Sequence, residues 1–195
     1  MLERMGPAAG VARHRAVVRA THWINAACFL ALAVSGVAIL IAHPRFYWGW
    51  TGYFDTPAAF ELPLAVNLDQ TGWGRNVHFL AAWITVFNGL VYVGWGMAAK
   101  HFRDLPGYSL LQKLAYLSVV FLLLPLMILS GLTMSPGITS AHPELFVLFG
   151  GRQSARTIHF LLGNLLMVFL IGHVAMTVFT GFGRNMRAMI SARES

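Results

Sequence analysis

Four long stretches of the sequence contain no Lys, Arg, Asp or Glu, and they limit the possible folds more than any other feature. The stretches cover residues 20–44, 76–99, 114–143 and 157–183. A helix needs about 20 apolar residues to cross a hydrocarbon core that is about 30 Å thick. We therefore predict an all-α integral membrane protein, a four-helix transmembrane bundle in a single domain over residues 1–195. The predicted spans lie near 18–42, 76–99, 113–134 and 156–180.

The composition supports the membrane assignment. Hydrophobic residues make up 57% of the chain and charged residues 11%, whereas soluble domains have about 25% charged residues. This excludes a soluble globular enzyme, a disordered tail and a disulfide-stapled secreted domain. The single cysteine, Cys28, can form neither an internal disulfide nor a Cys-x-x-Cys-His haem attachment. Pro125 inside the third span is expected to kink that helix without ending it.

The basic residues predict the orientation in the membrane, because cytoplasmic flanks carry an excess of Lys and Arg. Ten flank one side and four the other, which places both termini in the cytoplasm and the 1–2 and 3–4 loops outside. The ten are Arg4, Arg13, Arg15, Arg19, Lys100, Arg103, Lys113, Arg184, Arg187 and Arg193. The four are Arg45, Arg75, Arg152 and Arg156. A cleaved signal peptide at the first span is disfavoured, because its apolar run is too long and cleavage would discard His22.

The outward 1–2 loop, residues 43–75, is rich in aromatic residues. They are Phe46, Tyr47, Trp48, Trp50, Tyr53, Phe54, Phe60 and Trp73. One interpretation is an aromatic belt at the membrane interface. The other is a cap on which a partner docks, since loops of this length are often functional.

Four histidines lie inside predicted spans, where ionisable residues are costly and usually functional. They are His22, His78, His159 and His173. His159 and His173 are 14 residues apart, so at 100° per residue they face the same side of one helix, about 21 Å apart along its axis. The remaining histidines fit solvated or interfacial positions; they are His14, His43, His101 and His142.

The four histidines can be paired by their depth in the membrane. Arg75 and Arg156 each precede a histidine by three residues, so His78 and His159 enter from the outer side at matching depth. On the predicted boundaries His22 and His173 differ in depth by roughly 6 Å at 1.5 Å per residue, which helix tilt can absorb. We therefore pair His78 with His159 and His22 with His173.

Two facing histidines without a nearby carboxylate or thiolate fit haem b, which accepts axial histidine ligands. Zinc would require more ligands, and a proton relay would require carboxylates that the spans lack. The sequence thus predicts two haem b groups. The alternative is four unrelated histidines that bond to backbone carbonyls.

Three glycines share faces with the histidines. Gly36 is 14 residues after His22, while Gly89 and Gly96 are 11 and 18 residues after His78. We expect them to let a flat macrocycle approach the helices; the alternative is small-residue helix packing.

Three arginines precede the histidines at the membrane boundaries. Arg19, Arg75 and Arg156 are placed to pair with haem propionates, although each is equally suited to be a simple boundary charge.

Several segments resemble a known family. They are Thr21-His22-Trp23-Ile24-Asn25, His43-Pro44-Arg45-Phe46-Tyr47-Trp48-Gly49 and Gly151-Arg152-Gln153-Ser154-Ala155-Arg156-Thr157-Ile158-His159. Together with the four spans and the 14-residue histidine spacing, they resemble the bacterial dihaem cytochrome b membrane subunits. That cytochrome b561-like superfamily includes formate dehydrogenase gamma subunits and hydrogenase cytochrome b. The segments are most similar to the thiosulfate-reductase-type branch, which accompanies periplasmic molybdopterin oxidoreductases.

The resemblance implies an electron conductor in the bacterial inner membrane. An outer haem would exchange electrons with a periplasmic redox subunit, and an inner haem would exchange them with quinone. Polar residues near the cytoplasmic face are candidates to bind the quinone carbonyls: Arg19, Gln112, Lys113 and Tyr116.

Two other functions remain open. A stand-alone oxidoreductase of the same architecture, such as a superoxide:quinone oxidoreductase or a ferric reductase, could use the basic residues Arg75, Arg152 and Arg156 as an open approach to the outer haem. A haem-free transporter or scaffold is disfavoured, because the spans lack carboxylates and the chain lacks repeat halves.

Overall fold

Four long helices form the protein in a computed structural model that describes residues 16–53, 55–67, 69, 71–100 and 110–190. Within those residues, four helices are long and apolar enough to span a membrane, which confirms the predicted all-α membrane bundle. The candidate spans are Ala16–Ala42, Gly72–Ala98, Gln112–Thr133 and Arg152–Phe179. Some predictions concern residues outside the described part of the chain: Arg4, Arg13, Arg15, Arg103, Arg193, His14, His101 and Phe54.

The elements follow one another as helices, with one short strand pair. They are α1 (Ala16–Ala42), β1 (Arg45–Phe46), β2 (Phe60–Glu61), α2 (Thr71–Ala98), α3 (Leu110–Ser118), a π-helical segment (Val119–Leu123), α4 (Leu124–Thr133), α5 (Pro136–Thr139), α6 (Glu144–Phe149), α7 (Arg152–Phe179) and α8 (Phe182–Ile190). The third span therefore comprises α3, the π-helical segment and α4.

Helices α2 and α7 begin four to five residues earlier than predicted, at Thr71 and Arg152. The prediction treated charged residues as helix boundaries. Arg75 and Arg156 instead lie within the first turns of their helices, where long side chains can reach toward the interface. Helical hydrogen bonding continues past a charge whose guanidinium can still find polar partners.

The helix continues through Pro125, as predicted. Proline lacks an N–H, and its ring collides with the carbonyl four residues earlier in a regular α-helix. The π-helical segment provides a wider turn directly before it, in which the N–H of Leu124 donates to the carbonyl of Val119, five residues back. A wider turn of this kind accommodates the ring without ending the helix.

The long helices pack as two antiparallel pairs. Helix α1 lies along α2, and α4 lies along α7. Asn88 joins the first pair inside the bundle, since its amide donates to the backbone carbonyl of Thr21 at 2.8 Å and to the side-chain oxygen of Asn25 at 2.7 Å. A side-chain amide bonded twice across two helices stabilises their packing in lipid.

The amphipathic helix α8 follows α7 and turns back toward the start of α1. The indole N–H of Trp23 donates to the carbonyl of Met189 at 3.0 Å. Asn185 donates to the carbonyl of Thr177 at 3.1 Å, which fixes the angle between α7 and α8. Neither α8 nor the short helices α5 and α6 were predicted from the sequence.

Residues 43–50, here called the cap segment, are bound to the beginning of α7. The carbonyl of Gly49 accepts hydrogen bonds from the backbone N–H groups of Gln153 and Ser154, and the hydroxyl of Ser154 accepts from the N–H of Gly49 at 2.7 Å. The buried hydroxyl of Thr157 donates to the carbonyl of Tyr47 at 2.7 Å. The cap segment thus satisfies N–H groups that the first turn of a helix leaves unpaired.

The strand pair extends this contact into the rest of the loop. Arg45 pairs with Glu61 and Phe46 with Phe60, and the guanidinium of Arg45 bonds the carboxylate of Glu61 at 3.0 Å. Phe46 is 1% exposed and lies against Phe60 and Phe160. The first half of the outward loop is therefore part of the folded core.

Replacing Gly151 with alanine should detach the cap segment. Gly151 has φ of +113°, and an added Cβ would collide with the carbonyl of Gly49. We expect Gly151→Ala to lower the free energy of unfolding by about 2 kcal/mol, because strain and collision add together. Thermal unfolding in detergent can be followed by labelling of the buried Cys28. Gly137→Ala is the control, since its Cβ meets nothing within 4 Å; equal stability of the two variants would contradict the cap contact.

Candidate functional site

His78 and His159 lie between the two helix pairs; they are called the outer pair, and His22 and His173 the inner pair, after the membrane sides predicted from the sequence. The ring centroids of His78 and His159 are 6.2 Å apart, and their planes are inclined at 63°. Each residue lies seven positions after the first residue of its helix, Thr71 or Arg152. The two imidazoles are therefore at equal depth, as the repeated Arg-x-x-His pattern predicted.

The inner pair is formed by His22 and His173. Their ring centroids are also 6.2 Å apart, with an interplanar angle of 49°. Both lie 20 to 21 residues from the outer ends of their helices, α1 and α7. The depth mismatch expected from the sequence arose because the start of α7 was placed four residues too late. Trp23 packs edge-on against His22, and Phe169 stacks on His173.

The common separation fits two imidazoles bound to one metal. A metal–imidazole bond is about 2 Å long and the ring centre lies about 1.1 Å behind the nitrogen, so two imidazoles that held one metal between them would have centroids about 6.2 Å apart. No group of three or more His, Cys, Asp or Glu residues in the described chain could hold a metal ion. Two histidines suffice for haem, because the macrocycle supplies the remaining iron ligands.

Hydroxyl groups orient both outer imidazoles. Nδ1 of His78 lies 3.0 Å from the hydroxyl of Ser35, and Nδ1 of His159 lies 3.0 Å from the hydroxyl of Ser130. Nδ1 of His159 also lies 3.1 Å from the carbonyl of Met127. A carbonyl can only accept, so this nitrogen carries the proton. Nε2 of His159 is then the nitrogen with a lone pair for a metal.

Two glycines contact the same rings. A Cβ at Gly36 would lie 3.7 Å from Cε1 of His78, and one at Gly131 would lie 3.2 Å from Cε1 of His159. Each glycine follows the serine that bonds the ring. Of the other predicted glycines, Gly89 is half-buried with open space where a side chain would be, and Gly96 is buried.

The arginines at the outer end differ in their surroundings. The guanidinium of Arg156 donates to the carbonyl of Arg45 at 3.0 Å and to that of His43, and it lies over the ring of Phe46. Arg156 therefore holds the cap segment, which the sequence did not predict. Arg75 is exposed. Partial burial, followed by the positive charges of Arg156 and Arg75, lowers the pKa of His43, so the three groups share one outer region.

Comparison with known proteins identifies the family. The sequence matches the family described as prokaryotic cytochrome b561 over residues 13–192. The chain belongs to the prokaryotic cytochrome b561 family. It is a haem-binding, electron-transfer membrane protein, which confirms the resemblance inferred from its motifs.

One relative of this cytochrome covers almost the whole chain. It is a putative protein-methionine-sulfoxide reductase subunit, YedZ1, from Azospira oryzae, and it is 28% identical over 206 aligned residues. The alignment covers 91% of this chain and 94% of the relative. No solved structure matches the cytochrome.

The residues predicted to bind quinone lie on the first turn of α1 and the first two turns of α3. Arg19 and Lys113 are half-buried, and Gln112 is exposed. The hydroxyl oxygen of Tyr116 is buried and has no hydrogen-bond partner among the residues that the structure describes. An unpaired buried hydroxyl is costly in an apolar setting, which makes Tyr116 the most informative of the four.

Sequence reasoning missed Ser35, Ser130 and Gly131. Small residues in membrane helices usually indicate helix packing, so the two serines carried no signal of their own. A signal was present in the dipeptide Ser-Gly, which occurs once in α1 and once in α4. Each copy precedes, along the chain, one of the two Arg-x-x-His segments that hold His78 and His159.

Proposed function

We propose that the protein binds two haem b groups and conducts electrons across the bacterial inner membrane, with both termini in the cytoplasm. The observation that carries this proposal is the presence of two histidine pairs with the same 6.2 Å centroid separation. His22 and His173 would hold the inner haem, and His78 and His159 the outer haem. Arg19 and Arg75 remain candidates for propionate contacts.

Haem iron supplies the one-electron chemistry when it is bound. The chain would hold two such groups along one helix, since His159 and His173 both lie on α7. Their positions differ by about 21 Å along the helix axis, roughly two thirds of the hydrocarbon core. The protein would thereby shorten the distance that an electron must cross in lipid.

Replacing one histidine of each pair should remove one haem and leave the other. We expect His159→Ala to abolish the outer haem and His173→Ala the inner haem, because each site loses half of its axial ligands. A pyridine haemochrome assay should give two haems per chain for the unmodified protein and one for each variant. Redox titration should show the loss of a different component in each case.

The control is His142→Ala, which removes an exposed imidazole bonded to Glu144. It should retain both haems. A single haem in the unmodified protein would refute the pairing. Two unaltered redox components in either span variant would show that the replaced histidine is structural.

We further propose that quinone binds on the cytoplasmic side, near the inner haem. Tyr116 supports this site, because its buried hydroxyl lacks a partner in the described structure and can donate to a quinone carbonyl. Lys113, Gln112 and Arg19 lie on the same membrane side. Their positions at helix ends also suit boundary charges, so kinetics must separate the two roles.

Tyr116→Phe should slow reduction of the inner haem by quinol without lowering haem content. The combined replacement of Lys113 and Arg19 should have the same effect, because both changes remove donors to a quinone carbonyl. Stopped-flow absorbance measures the rate, and Tyr53→Phe on the outer side is the control. Unchanged rates of haem reduction in both test variants would show that quinone binds at another site.

We also propose that the outer surface docks a periplasmic redox subunit, of the molybdopterin oxidoreductase class that the family resemblance implies. The relative from Azospira oryzae is named as a reductase subunit, which supports a partner that performs substrate chemistry. Phe46 and Tyr47 are buried in the cap segment, whereas Trp48, Trp50 and Tyr53 are 56%, 59% and 65% exposed. Exposed aromatic residues are typical of interface centres.

Replacing Trp48, Trp50 and Tyr53 with alanine should slow electron transfer between the outer haem and the partner at least tenfold. These side chains are more than half exposed and contact none of the four paired histidines in the described structure, so haem content and transfer between the haems should stay unchanged. Trp83→Ala, which removes a tryptophan 42% exposed on membrane helix α2, is the control. A retained partner rate would indicate that the aromatic residues only anchor the loop in the interface.

A retained rate of electron transfer to the partner would favour the alternative of a stand-alone oxidoreductase. Such an enzyme needs an open, positively charged approach to the outer haem. The guanidinium of Arg156 is engaged by backbone carbonyls of the cap segment, and Arg152 bonds the carbonyl of Met134. These contacts occupy N–H groups that an incoming anion would otherwise bind, which supports a docked partner.

A further inference from the structure

Two equivalent half-sites make up the outer histidine pair. In each, a Ser-Gly dipeptide on one helix faces a histidine on the next: Ser35 and Gly36 face His78, and Ser130 and Gly131 face His159. We propose that Ser35 and Ser130 are matched positioning residues that accept a hydrogen bond from Nδ1 of each outer ligand and lower the reduction potential of the outer haem. This inference rests on the proposed haem site.

The hydrogen-bond partners determine which group donates. The hydroxyl of Ser35 has one proton, which it gives to the carbonyl of Ala31 at 2.6 Å. Its oxygen can then only accept from Nδ1 of His78, 3.0 Å away. Leu32 provides a backbone carbonyl to the same imidazole. Nδ1 of His78 therefore carries the proton, and Nε2 keeps its lone pair.

The second half-site repeats this arrangement. The hydroxyl of Ser130 donates to the carbonyl of Met127 at 3.0 Å and accepts from Nδ1 of His159 at 3.0 Å. Like Leu32 in the first half-site, Met127 lies three residues before the serine, and its carbonyl is 3.1 Å from the same imidazole nitrogen. Both serines are 0% exposed, so water cannot replace either hydroxyl.

An imidazole that donates from Nδ1 becomes a stronger electron donor through Nε2. Stronger donation favours the oxidised metal, so each serine lowers the reduction potential of the iron to which its histidine binds. Because the two half-sites match, each serine should contribute a shift of the same sign and similar size. Of the four paired histidines, the serines bond only His78 and His159 in the described structure, so the inner haem should be unaffected.

The test compares Ser35→Ala and Ser130→Ala with the unmodified protein by optical redox titration. Each variant should shift the outer component to a more positive potential, and the double variant should shift it further, while the inner component stays in place. Low-spin EPR of the outer haem should change as well, because the released rings can rotate from their 63° interplanar angle. Ser35→Cys and Ser130→Cys retain a weaker acceptor and should give smaller shifts.

Thr85→Val is the control, since the Thr85 hydroxyl bonds only within α2, to the carbonyl of Ala81. Haem content distinguishes failure of the proposed haem site from failure of the proposed role of the serines. An unmodified protein that contains no haem would refute the haem site. Normal haem content with unshifted potentials and EPR signals in both alanine variants overturns the role of the serines. If an alanine variant loses its haem, the cysteine variants become the test. An unshifted reduction potential of the outer haem in the cysteine variants would also overturn the role of the serines.

Discussion

The contact between the two helix pairs depends on how the nitrogens of the outer imidazoles are divided between partners. At the outer pair, Nδ1 of each ring is bonded by a buried serine within its own helix pair. Nε2 is thereby left for a ligand shared between the helix pairs. The two helix pairs therefore meet through the outer imidazoles, and the group bound between those rings sets the distance between the helix pairs.

Helix α7 joins the parts of the molecule. It carries one histidine of each pair, and its first turn binds the cap segment through Ser154, Arg156 and Thr157. A shift of this helix would move both histidine pairs and the outer surface together. The outer loop is consequently a fixed extension of the haem-binding scaffold in its first half, while its exposed aromatic side chains remain available for contacts.

The spans and the histidine pairs could be predicted because both depend on simple regularities. Hydrocarbon thickness fixes helix length, and helical periodicity fixes which side chains share a face. The roles of Arg156, Ser35 and Ser130 were not predicted, because no helical periodicity indicates which group each of them bonds. Arg156 binds carbonyls more than 100 residues away. The strand pair was missed because two-residue strands leave no periodic pattern.

The π-helical segment also sets the angular register of the third span. A π-helical turn contains one more residue than an α-helical turn, so residues beyond it are rotated by about 100° relative to an uninterrupted α-helix. Tyr116 lies before this turn and Ser130 after it. The face that meets His159 and the face that carries Tyr116 therefore point in relative directions that an uninterrupted α-helix would not give them. A regular α-helical turn of the same number of residues at Val119–Leu123 would leave Tyr116 in place and turn Ser130 away from its imidazole, whereas a one-residue deletion there would keep both faces.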